Sequence, residues 1–308
     1  MIELRKAERK QAKLRIGLSG ASGSGKTYSA ILLAKGIASD MSKVAVIDTE
    51  NGSGELYSHL GNYNVVALDA PYSPERYIEA IKACADAGME VVIIDSVTHE
   101  WDGEGGCLQL VDVVANAKFK GNTWGAWSDI TPRHQKFIYS ITTAPMHIIT
   151  TARSKTETVM TEQKKVKKIG MKEIQREGFE YELTLSFTID REAHMAMASK
   201  DRTGLFIDAD PFRITPEIGK TLLEWAQEGK EPETAPKKEQ EVQEPDMRTK
   251  IYSAIKHLYP EIKPEEMAAK IKELTGVQMT KEDTEEDRKE VLGKLEVIIS
   301  ERAEAAKQ

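Results

Sequence analysis

Short apolar runs recur along the first two thirds of the chain, and helix-patterned segments separate them. Leu14-Arg15-Ile16-Gly17-Leu18 precedes a helical stretch from Thr27 to Ala38, and Lys43 to Glu50 is an apolar run closed by acids. Val65 to Leu68 reads as a short strand, Pro74 to Ala87 as a helix, and Glu90 to Ser96 as a fully buried strand. Continuous β-branched runs alternating with helices imply a parallel sheet covered on both faces, so the predicted fold class is a doubly wound α/β domain. Pro132 to Thr142 has helical character and leads into a further buried strand, Met146 to Thr150. Tyr181 to Asp190 and Ala193 to Ser199 alternate with period two about a turn, which predicts antiparallel strands added to the sheet. Thr215-Pro216-Glu217 supplies an N-cap and a first-turn proline for a last helix ending near Gln227.

The pattern then stops. Residues 229–246 are rich in Glu, Lys and Pro and hold no aromatic, so nothing in them drives collapse, and a flexible linker is expected. Helical patterns resume around Ile251-Ala254-Ile255-Leu258, Met267-Ile271-Leu274 and Val291-Leu295-Ile298, which predicts a small helical module over 247–308. Its acidic run Glu282 to Asp287 reads as a solvated face or a helix start.

Between the first apolar run and the first helix stands Gly20-Ala21-Ser22-Gly23-Ser24-Gly25-Lys26-Thr27, a G-x-x-x-x-G-K-T phosphate-binding loop in the strand-to-helix context that such a loop needs. Glycines at 20, 23 and 25 let the backbone wrap a polyphosphate with its N–H groups turned inward, and Ser22 and Ser24 belong to the same cradle. The following helix presents its positive end to the same anion. Lys26 is then expected at the β- and γ-phosphates and the Thr27 hydroxyl on Mg2+. Bound ATP with magnesium is the expected cofactor pair.

Asp95, after four apolar residues, is the expected second carboxylate of such a site and a magnesium partner through water. Two glutamates compete for the role of general base. Glu50 closes a strand expected to lie beside the P-loop strand, with its end opening on the γ-phosphate; Glu100 lies five residues past Asp95.

Composition adds bounds. The 308 residues carry a net charge of −7, with 30% charged and 6% aromatic residues, which fits one substantial α/β domain with an appendage. No apolar run approaches a membrane span and the first residues lack the apolar core of a signal peptide, so a cytoplasmic location without membrane attachment is expected. Cys84 and Cys107 read as reduced, packing thiols. The net charge hides a basic segment: Arg153 to Lys172 holds seven basic residues against two acids.

The P-loop, Val46-Ile47-Asp48-Thr49-Glu50, Val92-Ile93-Ile94-Asp95-Ser96 and Ile148 to Lys155 together resemble the ordered motifs of the RecA-like ATPases. More closely, residues 11–227 resemble the phage-encoded, Sak-type RecA-like ATPases associated with single-strand annealing and recombination. The resemblance implies a RecA-like core over 1–228, with residues 1–12 as a basic N-terminal arm. It also implies Glu50 as catalytic base and Asp95 as the Walker B aspartate, in the cytoplasm of a host cell. Where RecA-type recombinases place a glutamine sensor for the γ-phosphate, this chain has Thr150-Thr151, and Thr151 is the candidate contact; a shorter hydroxyl cannot span the same distance.

Lys200-Asp201-Arg202-Thr203-Gly204 resembles the Lys-x-Arg turn with which related ATPases reach a neighbouring subunit's γ-phosphate. That implies Lys200 and Arg202 act in trans within a homo-oligomer. The stretches corresponding to the DNA-binding loops of RecA-like proteins are 101–127 and 154–178. Candidate contacts for single-stranded DNA are Lys118, Lys120, Arg153, Lys155, Lys164, Lys165, Lys167 and Lys168, while Trp124 and Trp127 are expected in the core. The expected activity is Mg-dependent ATP hydrolysis on single-stranded DNA in recombination, annealing or replication. A single-strand-binding protein, an annealing protein or a helicase is the expected partner. The alternative is a nucleotide-dependent adaptor or loader docking a protein through its C-terminal helices without touching DNA. A P-loop kinase is the third reading, disfavoured because no acceptor-binding lid is evident.

Overall fold

The computed structural model describes residues 4, 6–160, 166–230, 247–259, 262–278 and 284–305. It divides into two compact units, 1–232 and 233–308.

The first unit is a mostly parallel sheet with helices on its faces. Its elements are β1 (Arg15–Gly20), α1 (Lys26–Ile37), β2 (Val44–Asp48), β3 (Asn64–Ala67), α2 (Pro74–Asp86), β4 (Val91–Asp95) and α3 (Thr98–Asp102). They continue with α4 (Cys107–Lys118), α5 (Thr123–Thr143), β5 (His147–Met160), β6 (Val166–Glu173), β7 (Leu185–Ile189), β8 (Ala196–Asp201) and α6 (Pro216–Gln227). The strands lie in the order β3-β2-β4-β5-β1-β7-β8, with β6 paired to β5. All neighbours are parallel except β5 with β6 and β7 with β8. The mostly parallel core, with antiparallel strands at one edge and a helical region after it, is the architecture expected from the sequence.

β1, β2 and β4 are buried at every position, which is why they read as unbroken apolar runs. One core cluster sits between the sheet and α1 with α6, around Ile16, Leu18, Ile31 and Leu222. The other lies on the opposite face under α2 and α5, around Ile47, Tyr77, Ile94 and Phe137. Where α1 crosses α6, Gly36 and Gly219 meet: a Cβ on Gly36 would fall 1.9 Å from the Pro216 carbonyl oxygen and 2.8 Å from the Gly219 Cα. The crossing therefore brings backbone against backbone.

Two expectations are corrected here. β2 does not lie beside the P-loop strand; it pairs with β3 and β4, and β1 lies between β5 and β7. The chain carries β2 past two strand positions before laying it down, and β4 and β5 later fill the gap. Nor is 101–127 an open loop. α3, α4 and the start of α5 occupy most of it, with Cys107, Val111, Ala115, Ala126 and Ile130 forming a small core of their own. α5 also begins nine residues earlier than Pro132, a proline it carries inside.

The second unit contains α7 (Met247–Leu258), α8 (Pro264–Thr275) and α9 (Glu285–Ala305), packed around Ile251, Ile255, Ile271, Val291 and Leu295. The acidic run starts α9: Thr284 N donates to Asp287 Oδ2 (2.9 Å) and Asp287 N donates to Thr284 Oγ1 (3.2 Å), a reciprocal cap. Among the described residues no helix is long and apolar enough to cross a membrane.

Candidate nucleotide site

The P-loop leaves the C-terminal end of β1 and turns into α1. Gly23 (φ 78°) and Gly25 (φ 92°) take left-handed backbone, where a side chain would be strained, and nothing lies within 4 Å of a Cβ built on Gly23. A cavity of about 330 Å³ opens beside the loop, lined by Ser22, Gly23, Gly25, Lys26, Thr27, Glu50, Ser53, Tyr57, Asp95 and Arg153. Lys26 Nζ donates to the Gly20 (3.1 Å) and Ala21 (3.0 Å) carbonyls. Burial pulls its pKa down, opposed by the charges of Asp95 and Glu50. Ser24 does not line the cavity; its buried hydroxyl has no partner among the described residues, and the space above Gly20 is filled by it.

Asp95 ends β4 and is buried. Thr27 Oγ1 donates to its Oδ2 at 2.5 Å and Thr151 Oγ1 to its Oδ1 at 2.5 Å. Burial raises the Asp95 pKa, the two hydroxyls counter it, and Glu50 and Asp48 push it further up. A carboxylate and a hydroxyl meeting at the mouth of a P-loop form an all-oxygen donor set that fits a hard divalent cation such as magnesium.

Glu50 lies two residues past the end of β2, in a loop built by its neighbours. Asp48 Oδ1 accepts from Glu50 N (2.7 Å) and Asp48 Oδ2 from Gly54 N (2.8 Å). Thr49 N donates to the Asp95 carbonyl (2.8 Å), and Ser96 N donates to Thr49 Oγ1 (2.8 Å). Glu50 thus reaches the cavity although β2 is remote from β1, because the ends of β2 and β4 are stitched together. Ser96 Oγ donates to Glu50 Oε1 (3.2 Å), and Arg153 grips the carboxylate with both Nε (2.9 Å to Oε1) and Nη2 (to Oε2). Burial pulls the Glu50 carboxyl upward, but the Arg153 guanidinium, with His99 and Ser96, outweighs it and holds the pKa below the ordinary value.

Glu100 lies elsewhere. It is fully buried, with His134 Nδ1 at 3.0 Å, Cys107 Sγ at 3.1 Å, and Gln175 Nε2 at 3.4 Å from Oε2. The Glu100, Cys107 and His134 donor atoms lie within 4.8 Å of one another, close enough for a metal ion, yet their hydrogen bonds to one another already satisfy them. Both cysteines are free and buried, and burial raises both thiols, Cys84 to about 11.

The remaining candidates separate. Arg153, expected on nucleic acid, is on Glu50 in the cavity. Lys155, Lys118 and Lys120 are exposed, and Lys118 pairs with Asp129 at 2.8 Å. Lys167 and Lys168 fall on β6, and Lys164 and Lys165 lie outside the described residues, as do positions 231–246 of the expected linker. Trp127 stacks on Trp101 with centroids 5.6 Å apart, but Trp124 is 88% exposed, contrary to the core position expected for it; it stands in the first turn of α5, on the solvent side. Lys200 Nζ donates to the Glu180 carbonyl and Arg202 Nη2 to that of Tyr181, both at 2.6 Å. Asp201 builds their turn by accepting from Thr203 N (2.6 Å) and Phe206 N (2.8 Å). Lys200 aligns through Ser186 with Gly17, three residues back along β1 from Gly20, so both cations lie toward the end of the sheet away from their own P-loop.

Sequence reading missed Ser53 and Tyr57 in the cavity wall and His194, whose Nδ1 lies 3.1 Å from the Ser24 carbonyl at the tip of the β7–β8 hairpin. No local motif marks them; the Asp48-x-Glu50 spacing was the one available sign of the turn that carries Glu50.

Among solved structures, a prototypical ATPase from the type III secretion system of pathogenic bacteria matches at 15% identity, with 92% of this chain and 80% of that chain covered and a TM-score of 0.34. No curated protein matches the sequence. The model of the AAA domain family matches residues 12–211, a span that holds the P-loop, Glu50, Asp95, Thr151 and Arg153, and the chain belongs to this family of P-loop ATPases.

Proposed function

We propose that the chain is a magnesium-dependent ATPase of RecA-like type that acts on single-stranded DNA in phage recombination, annealing or replication. One observation carries the coupling to DNA. β5 runs from Thr151 and Arg153 at the nucleotide cavity into its pairing with β6, and the two strands carry Lys155, Lys167, Lys168 and Lys172. Lysines on such a hairpin neutralise phosphates and release counterions, and the strand that carries them passes the nucleotide cavity at Thr151 and Arg153.

The P-loop N–H groups and the α1 N-terminus cradle the phosphates, and Lys26 exchanges its two carbonyl partners for phosphate oxygens. Glu50, ionised and facing the cavity, orients the attacking water and takes its proton. Thr27 and Asp95 hold magnesium, which when bound neutralises phosphate charge. Thr151 fixes the Asp95 carboxylate. Lys200 and Arg202, remote from their own P-loop, act on a neighbouring subunit's nucleotide in a head-to-tail homo-oligomer.

The test is the ATPase rate with and without single-stranded DNA at two salt concentrations. Stimulation that weakens at the higher salt is the expected result. A rate indifferent to DNA sinks this reading in favour of the adaptor, for which the separate helical unit with its own apolar core is the natural docking element.

A further inference from the structure

The Glu50 carboxylate is a weak base as it stands. Both oxygens are engaged by Arg153, and Oε1 also accepts from Ser96. Oε1 is filled and Oε2 keeps one lone pair, but a carboxylate held by a guanidinium is a poor proton acceptor and becomes a better one when that guanidinium leaves.

Arg153 is placed to leave. Its backbone is pinned on three sides: it pairs with Gly20 of the P-loop strand, its N–H donates to Thr98 Oγ1 (2.9 Å), and its carbonyl accepts from Ile174 N (2.7 Å) at the base of the β5–β6 hairpin. Its side chain is 44% exposed and that of Glu50 22%, so their pair lies at the wall of the cavity and not in the core. The two-point geometry holds the pair when no ligand is bound, and its partial exposure leaves it exchangeable for a more highly charged anion. The cavity is built for one, because Lys26, Thr27 and the P-loop glycines line it together with Arg153. A guanidinium binds phosphate oxygens as readily as carboxylate oxygens, in the same forked geometry.

Thr151 cannot do this work, since its hydroxyl is held by Asp95. Residues two apart on a strand share a face, so Arg153 is the next side chain on the face from which Thr151 reaches the site.

Resting on the ATPase reading above, we infer that Arg153 is the γ-phosphate sensor of this chain: it restrains Glu50 when no γ-phosphate is present and transfers to that phosphate when it is, freeing Glu50 for water. No bond is made or broken in the exchange; one charge-assisted contact replaces another.

Equilibrium binding of ADP and of a non-hydrolysable ATP analogue to the full chain tests the assignment. Arg153→Gln is expected to weaken the analogue roughly tenfold or more, the weight of a charge-assisted contact, with ADP affinity within about twofold of wild type. Arg153→Lys restores part of the loss, having the charge without the fork. Glu50→Gln is expected to tighten the analogue, because Arg153 no longer leaves an anion to reach it, and that gain disappears in the Glu50→Gln/Arg153→Gln double variant. A merely structural pair would not produce this crossed pattern. Equal loss for both nucleotides, no loss for either, or a defect confined to single-stranded DNA binding overturns the sensor. Wild-type protein that binds neither nucleotide, or Lys26→Ala that binds both normally, overturns the ATPase reading as well. Normal wild-type turnover with an unaltered ratio of analogue to ADP affinity in Arg153→Gln overturns the sensor alone.

Discussion

Thr151 donates its hydroxyl to Asp95 Oδ1 at 2.5 Å, and Thr27 takes the other carboxylate oxygen at the same distance. The carboxylate is buried, and burial drives its pKa upward against these two donors. Thr151→Val preserves shape and removes one donor from a carboxyl acceptor, a loss of about 1.5–3 kcal/mol where such an acceptor is charged. Turnover is expected to fall roughly tenfold or more, with the magnesium concentration for half-maximal rate moving up, while Thr151→Ser stays near wild type. A Thr151→Val protein with unchanged magnesium dependence would show that the contact does not serve the metal.

The legible part of the site was what lies within one continuous segment. Gly20 to Thr27 was readable because strand, loop and helix are contiguous, and Asp95 because it ends a fully apolar run. What escaped was whatever depends on strands meeting. Arg153 carries the same charge as the lysines that follow it, and nothing local distinguishes the one turned onto Glu50. The Glu100, Cys107 and His134 cluster joins three helices, so no ligand spacing appears in the sequence. The wrong neighbour for β2 has the same origin: hydrophobic pattern identifies a buried strand without stating its place in the sheet. Residues 101–127 misled for another reason. A resemblance to proteins with loops there outweighed the apolar positions Val111, Ala115, Ala126 and Ile130, which make that region a packed helical pair.

Gly36→Ala should destabilise the first unit. The added methyl would sit 1.9 Å from the Pro216 carbonyl oxygen, so α1 and α6 must move apart. The overpacking cost of about 1–3 kcal/mol exceeds the roughly 1 kcal/mol that alanine gains over glycine in a helix. Gly293→Ala in α9, in the other unit and with nothing within 4 Å, is the control and should leave the midpoint of the first unit unchanged. All four tryptophans lie within residues 1–232, so fluorescence-detected urea unfolding reads the affected unit. Equal midpoints for Gly36→Ala and wild type would contradict the close crossing.

His147 makes the stability of this unit depend on pH. It is 6% exposed, its Nδ1 accepts from Leu14 N at 3.1 Å, and burial, with Lys13 and Arg15 nearby, lowers its pKa from 6.5 to about 4. Because the folded value lies below the unfolded one, the unfolded chain binds the extra proton. The contribution is complete above about pH 6.5 and declines as pH falls toward 4, by about 2 kcal/mol at pH 5. Urea unfolding at pH 7 and pH 5 should show this loss in wild type, and a smaller difference between the two pH values in His147→Gln, whatever its absolute stability. Identical pH slopes in the two proteins would rule His147 out as the source.

Lys200 and Arg202 can be tested by mixing. Their place toward the far end of the sheet from Gly20 keeps them from their own P-loop, and in the head-to-tail assembly proposed above each site would be completed by the next subunit. Lys26→Ala lacks the P-loop lysine and keeps an intact Lys200-Asp201-Arg202 turn, whereas Arg202→Ala has the reverse defect, and each alone should be almost inactive. In equal mixtures with random assembly, about one site in four combines an intact P-loop with an intact neighbouring turn, so about a quarter of the wild-type rate should return. Recovery should vanish on dilution below the assembly range. If Arg202→Ala alone hydrolyses ATP at the wild-type rate at concentrations where the chain is oligomeric, the trans role is wrong. If both variants are inactive and the mixture stays inactive, Arg202 instead serves its own subunit's fold, through the bond to the Tyr181 carbonyl.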